Sequence, residues 1–291
     1  MSERLKQYGG QALIEGVLMR SRNNLVAAFR LPDGSITLKS EKIKTIKYSW
    51  FWDKPGARGL RVLADSLLLG TKYLGISASL QNEDEEVMNS GQIALTMVLS
   101  LLLSLGLFFL LPAMIAEALK YWLGFNAWVL SLLEGSIRLA IFIGYLVLIG
   151  RLGEIQKVFA YHGAEHKTIN AFESSANMDV EHVSAFSTAH QRCGTSFLLT
   201  LVFLSILLFS FLVPLPLIQR LILRIAFIPL LAGLSYEMIR WMGNHSNFPL
   251  VKLLSKPNLA LQKLTTREPT KEMIEVALSA FNYLLKLETL Q

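Results

Sequence analysis

His162-Gly163-Ala164-Glu165-His166 is the part of this chain best equipped for chemistry. Residues four apart on a helix lie one turn apart on one face, so both imidazoles can meet the same object while Glu165 flanks them. Imidazole nitrogen binds zinc readily, and a carboxylate beside an activated water can take its proton. His-x-x-Glu-His is also the ligand order of the inverted zincins, where the histidines hold zinc and the glutamate is the base. The same three residues can equally form a hydrogen-bonded helix surface, and spacing alone leaves both readings open.

More donors follow closely. Four of the five histidines fall between 162 and 190, namely His162, His166, His182 and His190. Glu173 comes seven residues after His166, in phase with its face if the helix continues. His190 and Cys193, three apart, offer an imidazole and a thiolate that can close a metal shell from a turn. The expected metal ligands are therefore His162, His166, His190, Cys193 and Glu173, around a divalent ion, with zinc first and Glu165 as general base. Cys193 as a covalent nucleophile lacks a base within reach in the sequence.

The elements that must carry this cluster are unusual for a soluble metalloenzyme. Apolar residues make up 52% of the chain and charged residues 17%, and mean hydropathy is +0.42. Soluble domains carry about a quarter charged residues. The deficit is concentrated in 93–150 and 195–239, which defines a mainly α-helical polytopic membrane protein with four spans. The expected spans are 93–115, 126–150, 195–218 and a shorter 221–239 interrupted by Arg224 and Pro229. The first twenty residues carry charges and no hydrophobic run, so no signal peptide is expected. One cysteine excludes an internal disulfide.

Six segments result. Residues 1–58 form a β-containing module, with a hairpin of Leu25–Leu31 and Ile36–Lys39 around Pro32-Asp33-Gly34-Ser35. Alternation in Ile43–Tyr48 points to another strand. Residues 59–92 hold an amphipathic helix, marked by Leu60, Leu63, Leu67, Leu74 and Leu80, and the acidic linker Glu83-Asp84-Glu85-Glu86. Residues 93–150 are the first span pair, 151–194 the His/Glu/Cys helical subdomain, 195–239 the second span pair, and 240–291 a helical tail. That tail has Pro269 at a helix start and an apolar face of Met273, Val276, Ala277, Ala280 and Leu284, which must pack on the N-terminal module or the central subdomain.

Thirteen basic residues lie in 1–92 and seven follow Ser235, whereas the 119–125 loop holds only Lys120. The positive-inside rule puts both termini and 151–194 in the cytoplasm. The net charge of +6 is explained by orientation and anionic lipid, and the basic residues lack an aromatic-interleaved platform, so nucleic acid is not expected. Glu134 and Arg138, four apart inside the second span, read as a structural ion pair or as part of a conduction path. Gly9-Gly10-Gln11-Ala12-Leu13-Ile14-Glu15-Gly16 reads as a docking segment in which Glu15 can reach the polar cluster, and Glu237 reads as an interface anchor or a site-facing carboxylate.

Five stretches together resemble a known family: Gly9 through Arg20, Tyr161 through Thr168, Arg192 through Phe197, Gly233 through Glu237, and Leu264 through Pro269. They are similar to an uncharacterised family of bacterial integral membrane proteins, domain of unknown function 1385, described as metal-dependent. The resemblance runs nearly end to end. It puts weight on Glu15, His162, Glu165, His166, Lys167, His190, Arg192, Cys193 and Glu237, and it implies the bacterial inner membrane as location. The family's His-Pro-Arg-Cys-Gly is His190-Gln191-Arg192-Cys193-Gly194 here, which relaxes the turn and removes no donor. Three functions are consistent with these residues. The first is a membrane-embedded metal-dependent hydrolase with its site at the cytoplasmic face. The second is a homo-oligomeric ion channel or transporter using Glu134, Arg138, Arg224 and Glu237 along a polar path, and the third is a non-enzymatic scaffold for a cytoplasmic protein partner. Membrane lipid is an expected partner in all three.

Overall fold

A computed structural model describes residues 8–43, 52, 54–81, 90–191, 193–211, 215–245 and 247–289. The further strand expected over Ile43–Tyr48, beyond Ile43, and the acidic run Glu83–Glu86 lie outside these residues, as does Arg192.

The N-terminal module is a four-stranded antiparallel meander in the order β1 (Gly9–Leu13), β2 (Gly16–Arg20), β3 (Asn24–Arg30), β4 (Ile36–Lys42). The expected hairpin is β3–β4. The glycine-rich opening, read from sequence as a docking segment, is itself a hairpin: Leu13 pairs with Gly16 across a two-residue turn, and Glu15 takes φ 47° there. Both faces of this sheet are covered. Val17, Met19, Val26 and Ala28 face one side, and Leu18, Leu25, Ala27 and Phe29 the other. This is why β3 reads as an unbroken apolar run rather than an alternating one.

Helix α1 (Ala57–Gln81) covers the second face with Leu69, Tyr73, Ile76 and Leu80. That stripe is rotated from the leucine stripe seen in the sequence, and Leu67 and Leu74 are exposed. The first face is covered by α5 (Gly153–Glu173), α6 (Val180–Ser184) and the C-terminal α10 (Lys271–Thr289). Ile274, Ala277, Leu278, Phe281 and Leu284 of α10 recur at helical spacing and are buried there, so the tail packs on the two surfaces expected for it.

Among the described residues, three helices are long and apolar enough to cross a membrane: Ala94–Leu123, Trp128–Ile149 and Ile218–Asn244. The first comprises α2 (Ser90–Leu105), a π-helical turn at Gly106–Leu110 and α3 (Leu111–Leu123), and runs eight residues past the end expected from sequence. Gly124, left-handed at φ 64°, ends it, and the Asn126 side chain caps α4 (Ala127–Ile149) by accepting from the Val129 N–H. Helix α8 (Leu217–Asn244) runs past both expected ends and continues unbroken through Arg224 and Pro229. Helix α7 (Gly194–Ser210) is apolar but only 17 residues long. Helix α9 (Pro249–Thr265) returns beside α7 and leads to α10.

Candidate metal centre at the head of the helices

Helix α5 carries His162, Glu165 and His166 on the side facing the start of α7. The local packing depends on Gly163: a Cβ there would collide with the carbonyl oxygen of Arg267. With only hydrogen at that position, the backbone after α9 lies directly against α5, and Arg267 N–H bonds to the Phe159 carbonyl at 2.9 Å. The same approach brings the Thr265 carbonyl to 2.9 Å from His162 Nδ1. The Thr188 carbonyl lies 2.5 Å from His166 Nδ1. A carbonyl only accepts, so each imidazole carries a proton on Nδ1, and the neutral ring then has its lone pair on Nε2.

Those two lone pairs and the Cys193 sulfur converge. His162 Nε2 is 3.2 Å from Cys193 Sγ, and the three donor atoms all lie within 4.8 Å of one another. Tetrahedral zinc, with bonds of about 2.0–2.3 Å, needs donors separated by about 3.3–3.7 Å, so the set fits an ion after small side-chain adjustments. Cys193 caps α7, its sulfur accepting from the Thr195 N–H at 3.4 Å and lying 3.1 Å from the Thr195 hydroxyl.

Glu165 completes the surroundings. Its Oε2 is 3.7 Å from His166 Nε2 and 3.9 Å from His162 Nε2. Burial pushes this carboxyl above its ordinary range, partly opposed by His162, His190 and the Gly10 N–H. Gly10 is needed here, since a Cβ would sit 2.8 Å from Glu165 Cγ. Burial likewise pushes His166 and His190 below the ordinary histidine value, partly opposed by Cys193 and Glu165 respectively, which favours the neutral ring.

The remaining candidates separate. The His190 ring lies 5.5 Å from that of His166, and its Nε2 meets Glu173 at 3.6 Å, so this pair stands beside the three-atom set. Gln262, fully buried, fixes the His190 backbone by accepting from its N–H and donating to its carbonyl, both at 2.8 Å. Glu15 docks the β1–β2 turn onto α5 through Lys157 at 2.7 Å and Tyr161 at 3.0 Å. Lys167 bonds to the Ser184 carbonyl at the end of α6 and pairs with Glu268. Glu237 pairs with Arg58 and accepts from the Gly56 N–H, while its neighbour Tyr236 lines the site. His182 is bonded to Asp179 on the surface.

Glu134 and Arg138 belong to a different cluster, inside the apolar helices. Arg138 Nη2 reaches Glu134 at 2.8 Å, and Arg224 of α8 holds both carboxylate oxygens. Arg138 Nε also takes the Phe108 carbonyl, within the π-helical turn, at 2.9 Å. The sequence placed Arg224 in the fourth span without pairing it to Glu134.

The Thr188 and Thr265 carbonyls and Gln262 were not among the residues singled out from sequence. Backbone acceptors leave no mark on residue type, although Thr265 lies in one of the five motif stretches. A cavity of about 490 Å³ opens beside the cluster, walled by β1, α1, α5 and the site-proximal ends of α7 and α8.

The architecture defines a membrane-associated α-helical protein with a small β-sheet head and a His/Cys cluster at their junction. A family model described as "Protein of unknown function (DUF1385)" matches residues 54–287, and the chain belongs to this family. It is 35% identical to the uncharacterized protein YqhQ of Bacillus subtilis (strain 168), over 97% of this chain and 93% of that protein. No solved structure matches.

Proposed function

We propose that this protein is a multi-pass inner-membrane metal-dependent hydrolase whose divalent ion, zinc by donor chemistry, is held by His162, His166 and Cys193 at the cytoplasmic face. The observation that carries the reading is the convergence of three donor atoms within 4.8 Å, with both Nδ1 atoms already committed to carbonyls. Carbonyl-anchored imidazoles are the usual support of metal-ligating histidines. Three protein donors leave a position open, as catalytic rather than closed structural zinc sites do.

A divalent ion there supplies Lewis acidity, which eases loss of a proton from water. Glu165, buried and within 4 Å of both Nε2 atoms, is positioned to accept that proton and return it to a leaving group. In this reading the apolar helix α7 is the fourth crossing, and even crossings put both termini on one side. The basic residues of the two termini make that side cytoplasmic.

A channel or transporter draws on the buried Glu134–Arg138–Arg224 cluster. We read that cluster as a pin between α4 and α8, because its carboxylate and guanidinium groups bond to one another rather than to an open site.

Metal analysis of protein purified without chelator tests the proposal. One equivalent is expected in the wild type and less than a tenth of that in His162→Ala plus His166→Ala. Glu165→Gln is expected to keep its metal and lose turnover. Wild-type protein without metal after growth with zinc and manganese overturns the reading.

A further inference from the structure

The cavity beside the cluster carries positive charge that its own walls do not balance. Arg20 ends β2 on the same face as Leu18, toward α1, and lines the cavity. Asp65 and Tyr236 lie within electrostatic reach of it, yet among the described residues no hydrogen bond or ion pair engages its guanidinium. Arg240 of α8 lines the cavity as well, with Glu237 within electrostatic reach, and among the described residues the only carboxylate in the wall is Glu165. Val62 and Leu63 from α1, Phe197 from α7 and Ile239 from α8 give the wall an apolar side, alongside polar groups that include Gln11, Ser66 and the histidines of the cluster.

Position matters as much as charge. Tyr236, Ile239 and Arg240 occupy the last turns of a helix long and apolar enough to cross a membrane. In the topology proposed above, this end of α8 puts the cavity at the depth of lipid headgroups, where a helix passes from hydrocarbon to water. Its volume of about 490 Å³ is that of a small-molecule site. It has room for a headgroup and the first carbons of a chain.

We propose that the cavity binds the phosphate group of a membrane lipid, with Arg20 gripping the phosphate oxygens, Arg240 at the mouth, and Val62, Leu63, Phe197 and Ile239 against the adjoining hydrocarbon. A guanidinium fork matches two phosphate oxygens, and a desolvated one with no partner of its own gains most from such an anion. The inference deepens the metal-site reading by naming the substrate class and rests on that reading for turnover, whereas recognition by Arg20 does not require the ion. Hydrolysis would join water oxygen to phosphorus and break the phosphorus–oxygen bond to the lipid. The water proton would pass through Glu165 to the departing lipid oxygen.

The probe is phosphatidate in phosphatidylcholine nanodiscs, with lipid retained by the purified full-length protein quantified by mass spectrometry. Wild type is expected to enrich phosphatidate over phosphatidylcholine about tenfold or more, equivalent to about 1.4 kcal/mol. Arg20→Gln is expected to abolish that enrichment and Arg20→Lys to keep part of it, with metal content unchanged in both. Should Arg20→Gln melt early, Arg240→Gln carries the same readout, with a loss of about threefold expected for a rim charge. Retained enrichment in a correctly folded Arg20→Gln protein overturns the proposal, as does preferred retention of a peptide. Competition by glycerol phosphate or inorganic phosphate at equal concentration assigns the cavity to a soluble phosphate and overturns the lipid source. Enrichment without metal refutes only the metal site, and metal without enrichment refutes only the lipid phosphate.

Discussion

Glu134 and Glu165 are both buried carboxylates, 1% and 5% exposed, and their neighbours make them opposites. Glu134 is held by two guanidiniums, Arg138 from its own helix and Arg224 from α8. Glu165 stands among imidazoles and a glycine N–H, beside a cavity, and burial leaves it above the ordinary carboxylate range. Along α8, Arg224 and the cavity-lining Tyr236 are twelve residues apart, about 18 Å at 1.5 Å per residue. A carboxylate closed by its own cations fastens helices together. One left short of cations next to converging lone pairs has capacity to spare for a ligand.

Glu134→Gln should break this contrast with the largest effect. It leaves Arg138 and Arg224 buried without their anion, and removing one partner of such a group costs about 3–5 kcal/mol. Thermal unfolding in detergent is expected to shift strongly downward, while folded molecules keep wild-type metal content. A loss of metal without loss of stability would instead couple the two clusters.

Gly163→Ala should act at the other cluster and by a different route. Alanine normally favours a helix over glycine by about 1 kcal/mol. Here its methyl group meets the Arg267 carbonyl and pushes away the segment that supplies the Thr265 acceptor to His162. Metal affinity is expected to fall about 10–100-fold, as for loss of an outer-shell partner, measured by chelator competition. Unchanged affinity would show that the Thr265 carbonyl does not orient the ligand.

The smallest effect belongs to the surface, where charges face solvent. Asp179 caps α6, and the His182 N–H and then its ring hold its carboxyl below the ordinary value of 3.8. A depressed folded-state value means the cap is at full strength above that ordinary value and is lost as pH falls below it. Hydrogen exchange in α6 should rise over this acid range, and Asp179→Asn should flatten the rise. Exchange that ignores the substitution would remove Asp179 as the cap.

Much of the fold was legible because it is written in local pattern. The β3–β4 turn declared itself through Pro32-Asp33-Gly34, and the α10 face through 3.6-residue spacing. Span ends were less legible: hydropathy marked 93–115, whereas the helix runs on until Gly124 adopts a left-handed conformation. The β1–β2 hairpin was missed because Gly9-Gly10 and the Glu15 turn carry little strand propensity, and its stability comes from α5 beneath it. For the site, the pairing of His162 with His166 follows from helical periodicity. The choice of Cys193 in the three-atom set, and of His190 as the companion of Glu173, does not.

The sequence by itself determined the donor types on α5, the places of the apolar helices along the chain and the basic bias of the termini, since each depends on residue identity and spacing within one segment. Tertiary structure alone decided that Thr188 and Thr265 carbonyls fix the imidazoles, that Arg224 joins Glu134, and that Arg20 is left facing a cavity. Those facts depend on which segments pack together, and the decisive groups are backbone atoms, or side chains whose partners lie tens of residues away.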